Sequence, residues 1–248
     1  MGASMRHARL AVLAIFCSTV AAFEQLSKSD EVAIAAYQSA IRAAESDGRH
    51  EAIEAAFAKI APLRGALTRP RNGRSALESL SDQEFQHLAR SLSGLHIFRE
   101  EVVGVEPDVN YFLKLATDRG EGADRMFFAA LKATHPESFS PVYVERQADY
   151  SGCTRFGTLS LVETYRRWSE FQRRAPAHYV AAAAKETGAV ARELTQSTCA
   201  CGDSASVEQE LQQFVTDFPA SSITARVEER LRDVRAGRSK IRMKCVSG

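Results

Sequence analysis

Four cysteines in the C-terminal part of the chain, Cys153, Cys199, Cys201 and Cys245, constrain its fold more than any other feature. A fifth, Cys17, lies in a short apolar run near the N-terminus. An even set of cysteines in an exported protein is typical of structural disulfides, whereas in a reducing compartment it is more typical of metal or redox chemistry. The compartment therefore decides how these cysteines are interpreted.

The N-terminus predicts export. Two arginines and no acidic residue precede the apolar run 10–22, and polar sequence begins at Phe23. This order is that of a secretory signal peptide, with Val20 and Ala22 as the small residues before the cut. The run is shorter than the ~20 residues that span a bilayer as a helix. We therefore expect cleavage near Ala22/Phe23, a periplasmic or secreted mature protein, and no membrane span after cleavage.

Once Cys17 leaves with the signal, the remaining four cysteines are expected to form two structural disulfides. Direct closure of Cys199 with Cys201 would make a small strained ring. Each of the two is therefore expected to pair with a distant partner, one with Cys153 and one with Cys245, in either order. A zinc site made of the four thiolates is the alternative, but oxidation competes with it outside the cytosol. We expect no metal and no cofactor.

The overall charge gives no reason to expect nucleic acid as a partner. The whole chain carries a formal net charge of +1. Loss of Arg6 and Arg9 with the signal leaves about −1, which provides no bulk attraction to nucleic acid or to anionic lipid.

Apolar residues recur at spacings of three and four over much of the chain, which predicts helices. Residues 29–46 predict a first helix, and residues 53–60 predict a second that stops before Pro62. A turn this short between them is typical of an antiparallel helical hairpin. The basic stretch 64–75 is interpreted as an exposed loop or hinge.

The middle of the chain gives weaker signals. Ser81 to Glu84 matches a capping box, which marks the start of a helix. Residues 95–105 are ambiguous, and a short helix ending at Gly104 is one interpretation. Residues 137–157 are the least helical, with a strand-like stretch at 141–146 followed by a loop.

Two helical faces near the C-terminus carry a resemblance to a known family. Val207, Leu211 and Phe214 form one face, a turn follows at 217–222, and the second face runs over 223–234. Residues 204–236 resemble one unit of the tetratricopeptide-like helical repeats of bacterial envelope proteins. Such repeats stack as helical hairpins and bind peptides or proteins, so the resemblance implies an interaction role. The pattern does not recur at residues 29–62, so a regular array is not predicted.

The predicted fold class is all-α, with helical hairpins packed as an irregular bundle or a short solenoid and stabilised by disulfides. The expected organisation is a signal peptide at 1–22, an N-terminal helical region at 23–137 and a C-terminal helical region at 138–248. The last two are alternatively one continuous domain.

No catalytic motif is present in the sequence. There is no Gly-x-Ser-x-Gly and no His-Glu-x-x-His, and the histidines are scattered singly. A lysozyme-like glycosidase would need two carboxylates in a cleft. The candidates are Glu100, Glu101 and Glu163, but no feature of the sequence distinguishes them from other glutamates. We therefore name no catalytic, cofactor-binding or metal-ligating residue.

The leading functional hypothesis is an exported, non-catalytic, protein-binding protein of the bacterial envelope. Tyr150, Arg155 and Phe156 are the candidate partner-binding residues, because aromatic and arginine side chains on a loop held by a disulfide make good interface anchors. The alternatives are a cell-wall hydrolase with a dispersed active site and an inhibitor or immunity protein for an envelope toxin.

Overall fold

The computed structural model of the chain describes residues 26–47, 50–100, 102–136, 140–146 and 152–245. The predicted signal peptide and the candidate residue Tyr150 lie outside these residues. The described part is mostly helical, as predicted, and it also contains two small antiparallel strand pairs.

The helices and strands follow one another along the chain as two groups. The helices are α1 (Lys28–Asp47), α2 (His50–Ala58), α3 (Ile60–Thr68), α4 (Ala76–Ser79), α5 (Asp82–Ser91), α6 (Val109–Arg119), α7 (Gly122–Thr134), α8 (Ser160–Arg174), α9 (Val180–Gln196), α10 (Ser204–Asp217) and α11 (Thr224–Arg235). The strands are β1 (Leu95–Arg99), β2 (Val103–Pro107), β3 (Val144–Arg146) and β4 (Gly152–Thr154). Strand β1 pairs with β2, and β3 pairs with β4.

Helices that are neighbours in sequence pack on one another. Helix α1 packs on α2 and α3, α6 on α7, α8 on α9, and α10 on α11. Further contacts join these groups, since α7 lies on α8, α8 on α10, and α9 on α11. The result is a bundle-like arrangement in which α8 and α9 contact elements on both sides.

An aromatic cluster forms the centre of the first hydrophobic core. The ring of Phe57 lies 5.5 Å from Phe112, 5.2 Å from Phe127 and 5.4 Å from Phe128 between centroids. Tyr179, at the start of α9, stacks on Phe127 with its centroid 4.0 Å away. Aromatic contacts of this kind add about 0.5–1.5 kcal/mol each beyond the area they bury. They hold α2, α6, α7 and the start of α9 together.

The start of α1 is fixed by a buried carboxylate. Asp30 is 1% exposed and accepts two hydrogen bonds from the guanidinium of Arg71, at 2.7 and 2.8 Å. The backbone N–H and the hydroxyl of Ser27 also donate to it. Burial works to raise the pKa of Asp30, but the hydrogen bonds from Arg71 and Ser27 outweigh it and leave that pKa below its ordinary value of 3.8. Arg71 is therefore a structural residue rather than part of a freely solvated basic loop.

We expect Asp30→Asn to lower the free energy of unfolding by about 2 kcal/mol at pH 7, since hydrogen bonds to charged groups contribute about 1.5–3 kcal/mol. Because the folded-state pKa lies below the unfolded one, the stability from Asp30 is present above the unfolded pKa. It is lost as the pH falls through the folded value. Urea unfolding at pH 7 and at pH 3 measures both effects. Equal destabilisation at the two pH values would contradict the role given to the carboxylate charge.

The second helix stops before Pro62, as predicted, but a further helix that the sequence did not predict begins directly after it. Helix α2 ends at Ala58, but α3 begins at Ile60 and carries Pro62 in its first turn. The first N–H groups of a helix have no intrahelical acceptor, so proline is tolerated there. As a consequence Arg64 lies inside α3, and the prediction of a loop over 64–75 is wrong for residues 64–68. Residues 69–75 lie between α3 and α4.

The interpretation of residues 95–105 as a short helix is also wrong, because they form the hairpin β1–β2. Ile97 lies opposite Val105, and Phe98 lies opposite Gly104. A Cβ atom at Gly104 would come within 2.0 Å of the Phe98 ring. The glycine that suggested a helix end therefore gives an aromatic ring room to cross the partner strand.

The second hydrophobic core is formed by the later helices and by β3. Its members include Tyr143, Leu161, Val190, Val207 and Phe214. The Val207, Leu211 and Phe214 face of α10 is buried as predicted. Helices α8 and α9 also contribute side chains to the first core, among them Trp168 and Ala183, so the two cores are joined through these helices.

Two buried side chains at the edges of this second core cap helices. The Glu210 carboxylate, 0% exposed, accepts hydrogen bonds from the backbone N–H groups of Gly157, Leu159, Leu161 and Val162. It therefore caps the start of α8. At the far end of α9, Arg230 donates to the last carbonyls of the helix. Burial lowers the pKa of Arg230 to about 10, which leaves it charged at neutral pH.

Candidate functional site

A cavity of about 400 Å³ lies where α2, α3, β2, α7 and the start of α9 meet. Most of its wall is apolar. The apolar residues of the wall are Phe57, Ala58, Ile60, Ala61, Pro107, Val109, Phe127, Leu131, Tyr179, Val180, Ala181 and Ala182. We call this cavity the α9 pocket.

Tyr179 shapes the floor of the α9 pocket. Its backbone has a positive φ of 50°, a turn that directs the chain into α9. Its N–H donates to Glu54 Oε1 at 2.6 Å, and its hydroxyl donates to Asp124 Oδ1 at 2.5 Å. Burial, the hydrogen bond to Asp124 and the charges of Asp124 and Glu54 raise the pKa of Tyr179 far above its ordinary value of 10.0. The hydroxyl therefore stays protonated, and the ring stays fixed on Phe127.

One charged pair stands on the wall between α3 and β2. Arg64 Nη2 lies 2.6 Å from Glu106 Oε2, and Arg64 Nε donates to the carbonyl of Val105 at 2.7 Å. Both side chains are about one-third exposed, so the pair faces the solvent at the mouth of the pocket. The pair fixes the edge of the hairpin against α3.

A second pair belongs to the wall formed by the end of α7 and by α9. His135 Nε2 lies 3.0 Å from Glu186 Oε2, and the two side chains are 17% and 12% exposed. The other ring nitrogen, Nδ1, is buried and has no hydrogen-bond partner among the described residues. His135 also borders a smaller cavity of about 210 Å³, which shares Glu106, Pro107 and Val109 with the α9 pocket.

A histidine oriented by a carboxylate suits general acid–base chemistry. The rest of the arrangement does not, because no serine, threonine or cysteine is among the residues that form the wall of the α9 pocket. The free ring nitrogen of His135 has almost no exposed surface, so a substrate in the pocket does not reach it. The pocket therefore offers an apolar binding volume with charges at its mouth rather than a nucleophile and base.

The four cysteines form two disulfides. Cys153 pairs with Cys201, and Cys199 pairs with Cys245, with Cα–Cα distances of 5.1 and 5.9 Å. Each member of the Cys-Ala-Cys sequence thus bonds to a distant cysteine, as expected, and the structure settles the order. The bonds join β4 and the C-terminal segment to the turn between α9 and α10.

The structure places the candidate partner-binding residues in different environments. Phe156 is 3% exposed and packs in the second core, with the Arg230 guanidinium 5.7 Å from its ring. Arg230 and the core cover the ring in this structure, and a role of Phe156 in partner binding stays a prediction. Arg155 has a 43% exposed side chain paired with Glu145 at 3.4 Å, and its role in partner binding stays a prediction.

The carboxylates considered for a hydrolase do not converge on the α9 pocket. Glu163 pairs with Arg166 on α8, and Glu100 borders a shallow depression near Arg99. Glu101 lies outside the described residues. Within those residues, no group of three or more His, Cys, Asp or Glu side chains is placed to hold a metal ion.

The residues of the α9 pocket were not predicted as a site. Glu54 and Tyr179 are 125 positions apart, and their contact depends on the packing of α9 against α2. The Tyr179 ring itself is buried in the first core. Only the structure shows that Tyr179 and Phe127 also line a cavity.

Comparison with protein-family models, with curated proteins and with solved structures found no match. In the described part of the chain, none of the helices combines the length and apolar character needed to cross a bilayer.

Proposed function

We propose that the protein is a non-catalytic binding protein and that its ligand occupies the α9 pocket. The observation that supports this most is the apolar cavity of about 400 Å³ with an aromatic floor. Small-molecule sites are concave, mostly apolar, and about 300–1,000 Å³ in volume, with a few polar groups that orient the ligand. The α9 pocket has each of these properties.

Packing around the pocket supports a preformed site. Phe127 and Tyr179 are 0% and 3% exposed and stack on each other, so the floor does not depend on a ligand for its shape. Val180 is 56% exposed at the pocket wall, which leaves apolar surface in water. Burial of such surface by a ligand contributes about 25 cal/mol per Å².

The proposed location is the periplasm or the cell exterior. Two disulfides are typical of oxidising compartments, and they agree with the export signal predicted from residues 1–22.

Filling the pocket should weaken binding of an apolar probe. We expect Ala182→Phe to weaken binding of the neutral probe N-phenyl-1-naphthylamine at least ~10-fold, because the new ring occupies space inside the wall of the pocket. Isothermal titration calorimetry measures the affinity of the wild type and of the variant.

Ala184→Phe is the matched control. Ala184 lies on the same helix but is exposed and does not belong to the pocket wall. Its substitution should leave the affinity within about twofold, and circular dichroism should show both variants folded. If Ala182→Phe binds the probe as well as wild type does, the α9 pocket is not the binding site.

A second candidate function follows from the C-terminal helices. Helix α8 lies on α10 and α9 lies on α11, an order of contacts that suits two stacked hairpins. This order favours the protein-binding role implied by the tetratricopeptide-like resemblance of residues 204–236. A photo-crosslinker at Arg155 should then give a discrete protein adduct in a bacterial periplasm. A crosslinker at exposed Val32 on α1 should give none, and the same adducts from both positions would contradict this role.

A further inference from the structure

We infer that the segment after α11 docks an anionic polysaccharide, and that Lys240, Arg242 and Lys244 bind its charged groups. We call these three side chains the cationic strip. None of the three belongs to the wall of the α9 pocket, so this inference is independent of the proposed ligand site. A local excess of positive charge on a backbone that is held in place carries it.

Positive charge is concentrated in this segment although the chain as a whole is nearly neutral. Residues 236–245 contain four basic residues and no acidic one, whereas the whole chain has a formal net charge of +1. Arg238 is balanced, since its Nη2 lies 3.0 Å from Asp233 Oδ1. The three side chains of the cationic strip are exposed, and in the described part of the chain no carboxylate lies within salt-bridge distance of them.

Asp203, just before α10, is an acidic residue on which the strip acts. Hydrogen bonds from the N–H and the hydroxyl of Ser206 lower the pKa of Asp203 below its ordinary value of 3.8, and the charge of Lys244 lowers it further. Asp203 uses its carboxylate to cap α10 through these same hydrogen bonds. When Asp203 is counted against the three cations, the strip still keeps an excess of positive charge.

The backbone of the strip is fixed, whereas blocks of like charge are typical of disordered tails. The disulfide of Cys245 ties the end of the segment to the turn between α9 and α10. The Arg242 N–H donates to the Thr198 carbonyl at 2.9 Å. The Lys244 N–H donates to the Gly202 carbonyl at 2.8 Å. The cations therefore stay close together despite their repulsion, and a polyanion relieves that repulsion without having to order the segment first.

The larger apolar side chains of the segment turn away from the strip. Ile241 is 7% exposed, and Met243 packs against the second core. Interfacial membrane binding combines basic residues with apolar side chains that insert, and residues 236–245 offer no large one. They also contain no aromatic residue that could stack on the bases of a nucleic acid. The chemistry that remains is charge alone, which suits an acidic polysaccharide in the proposed periplasmic or extracellular location.

Two dextrans of the same chain length test the inference. Dextran sulfate and neutral dextran share one sugar backbone and differ in charge. Titration calorimetry of the full protein at low salt should show binding of dextran sulfate and none of neutral dextran. Because binding by three cations releases counterions from the polyanion, the affinity should fall ~30-fold between ~50 and ~200 mM salt.

Replacement of the strip should remove most of this binding. We expect the triple variant to bind dextran sulfate at least ~10-fold more weakly and to lose most of the salt dependence, because the cations that displace the counterions are gone. Circular dichroism should show the variant folded, since the three side chains are exposed. The substitutions are Lys240→Gln, Arg242→Gln and Lys244→Gln.

The matched control removes the same number of positive charges at exposed positions outside the strip. The substitutions are Lys28→Gln, Lys59→Gln and Arg90→Gln. Affinity of this variant for dextran sulfate should stay within about twofold of wild type, because these charges lie outside the strip and are screened by salt. Equal weakening in the two triple variants, or no binding of dextran sulfate by the wild type, would overturn the strip as a docking surface.

Two further probes separate a polysaccharide from other anionic partners: vesicles of phosphatidylcholine with phosphatidylglycerol, and a single-stranded oligonucleotide. At a matched concentration of anionic groups, dextran sulfate should bind more tightly than either. Tighter binding of the vesicles or of the oligonucleotide that is lost in the strip variant would overturn the polysaccharide and assign the strip to a membrane surface or to nucleic acid. Neither outcome bears on the α9 pocket, whose own probe is neutral.

Discussion

We expect Glu210→Ala to lower the free energy of unfolding by about 3–5 kcal/mol, which is a large share of the stability of a typical domain. The Glu210 carboxylate is fully buried and accepts four backbone N–H groups, at 2.7 to 3.1 Å. Removal of the side chain leaves these donors at the start of α8 without acceptors and opens a cavity beside α10. Thermal and urea unfolding measure the loss.

Glu210→Gln separates hydrogen bonding from packing. The amide has nearly the same volume, but its NH₂ group faces N–H donors that the carboxylate accepted. We therefore expect a loss of about 2 kcal/mol or more even though no cavity forms. Burial raises the pKa of Glu210 above its ordinary value, and the hydrogen bonds from the four N–H donors offset part of that rise.

Glu208→Gln on the same helix is the control for Glu210. Glu208 is partly exposed and pairs with Arg235 at 2.7 Å, and such surface pairs contribute about 0–1 kcal/mol. If Glu210→Gln is as mild as Glu208→Gln, the carboxylate does not act as the cap of α8.

Local signals in the sequence predicted the helices well. The capping box at Ser81 and Glu84 is present with both of its hydrogen bonds, and Leu80 and Phe85 are buried beside it. The apolar spacing of Tyr37 and Ile41 gave the buried face of α1. These signals work because the residues that make the contacts are at most a few positions apart.

Predictions failed where a local signal has two structural outcomes. A proline in the interior of a helix ends or kinks that helix, whereas a proline in the first turn is tolerated. Pro62 alone therefore does not show where the boundary between α2 and α3 lies. From the neighbouring sequence alone, Gly104 was interpreted as the end of a helix. Its use in the hairpin depends on Phe98 across the strand pair.

The candidate site could not be predicted because its parts come from distant helices. The α9 pocket needs Phe57 of α2, Val109 of α6 and Lys185 of α9 at one place. Each of these residues has an ordinary local role: an apolar helix face, a first helical turn and an exposed lysine. The spacing of apolar residues along the sequence does not indicate that the packed helices leave a cavity between these residues.

The buried role of Glu210 is hidden for a similar reason. A glutamate in the middle of a charged amphipathic helix is expected to be solvated. Its burial follows from the position of the loop before α8, which brings Gly157 and Leu159 N–H groups to the carboxylate. The tertiary contact, rather than helix periodicity, decides the environment of this side chain.

We expect removal of the Cys153–Cys201 disulfide, by Cys153→Ala together with Cys201→Ala, to lower the free energy of unfolding by about 4 kcal/mol. The bond joins residues 48 positions apart, and loop closure in the unfolded chain accounts for a loss of this size. The Cys199–Cys245 bond closes a loop of similar size, 46 positions, so its removal should cost about the same. Calorimetric unfolding of the two double variants measures both losses.

The same variants separate stability from ligand binding. Without the covalent bond, the Thr154 N–H still donates to the Cys199 carbonyl at 3.0 Å, and the Cys201 N–H still donates to the Thr154 carbonyl at 3.0 Å. Both disulfides lie at the far end of α9, whereas the α9 pocket is formed at its start, beside the first core. We therefore expect a large loss of stability but affinity for N-phenyl-1-naphthylamine within about twofold of wild type at temperatures where the variant is folded. Loss of probe binding by the folded variant would mean that the disulfides position the pocket, and the two ends of α9 would then have to act as one unit.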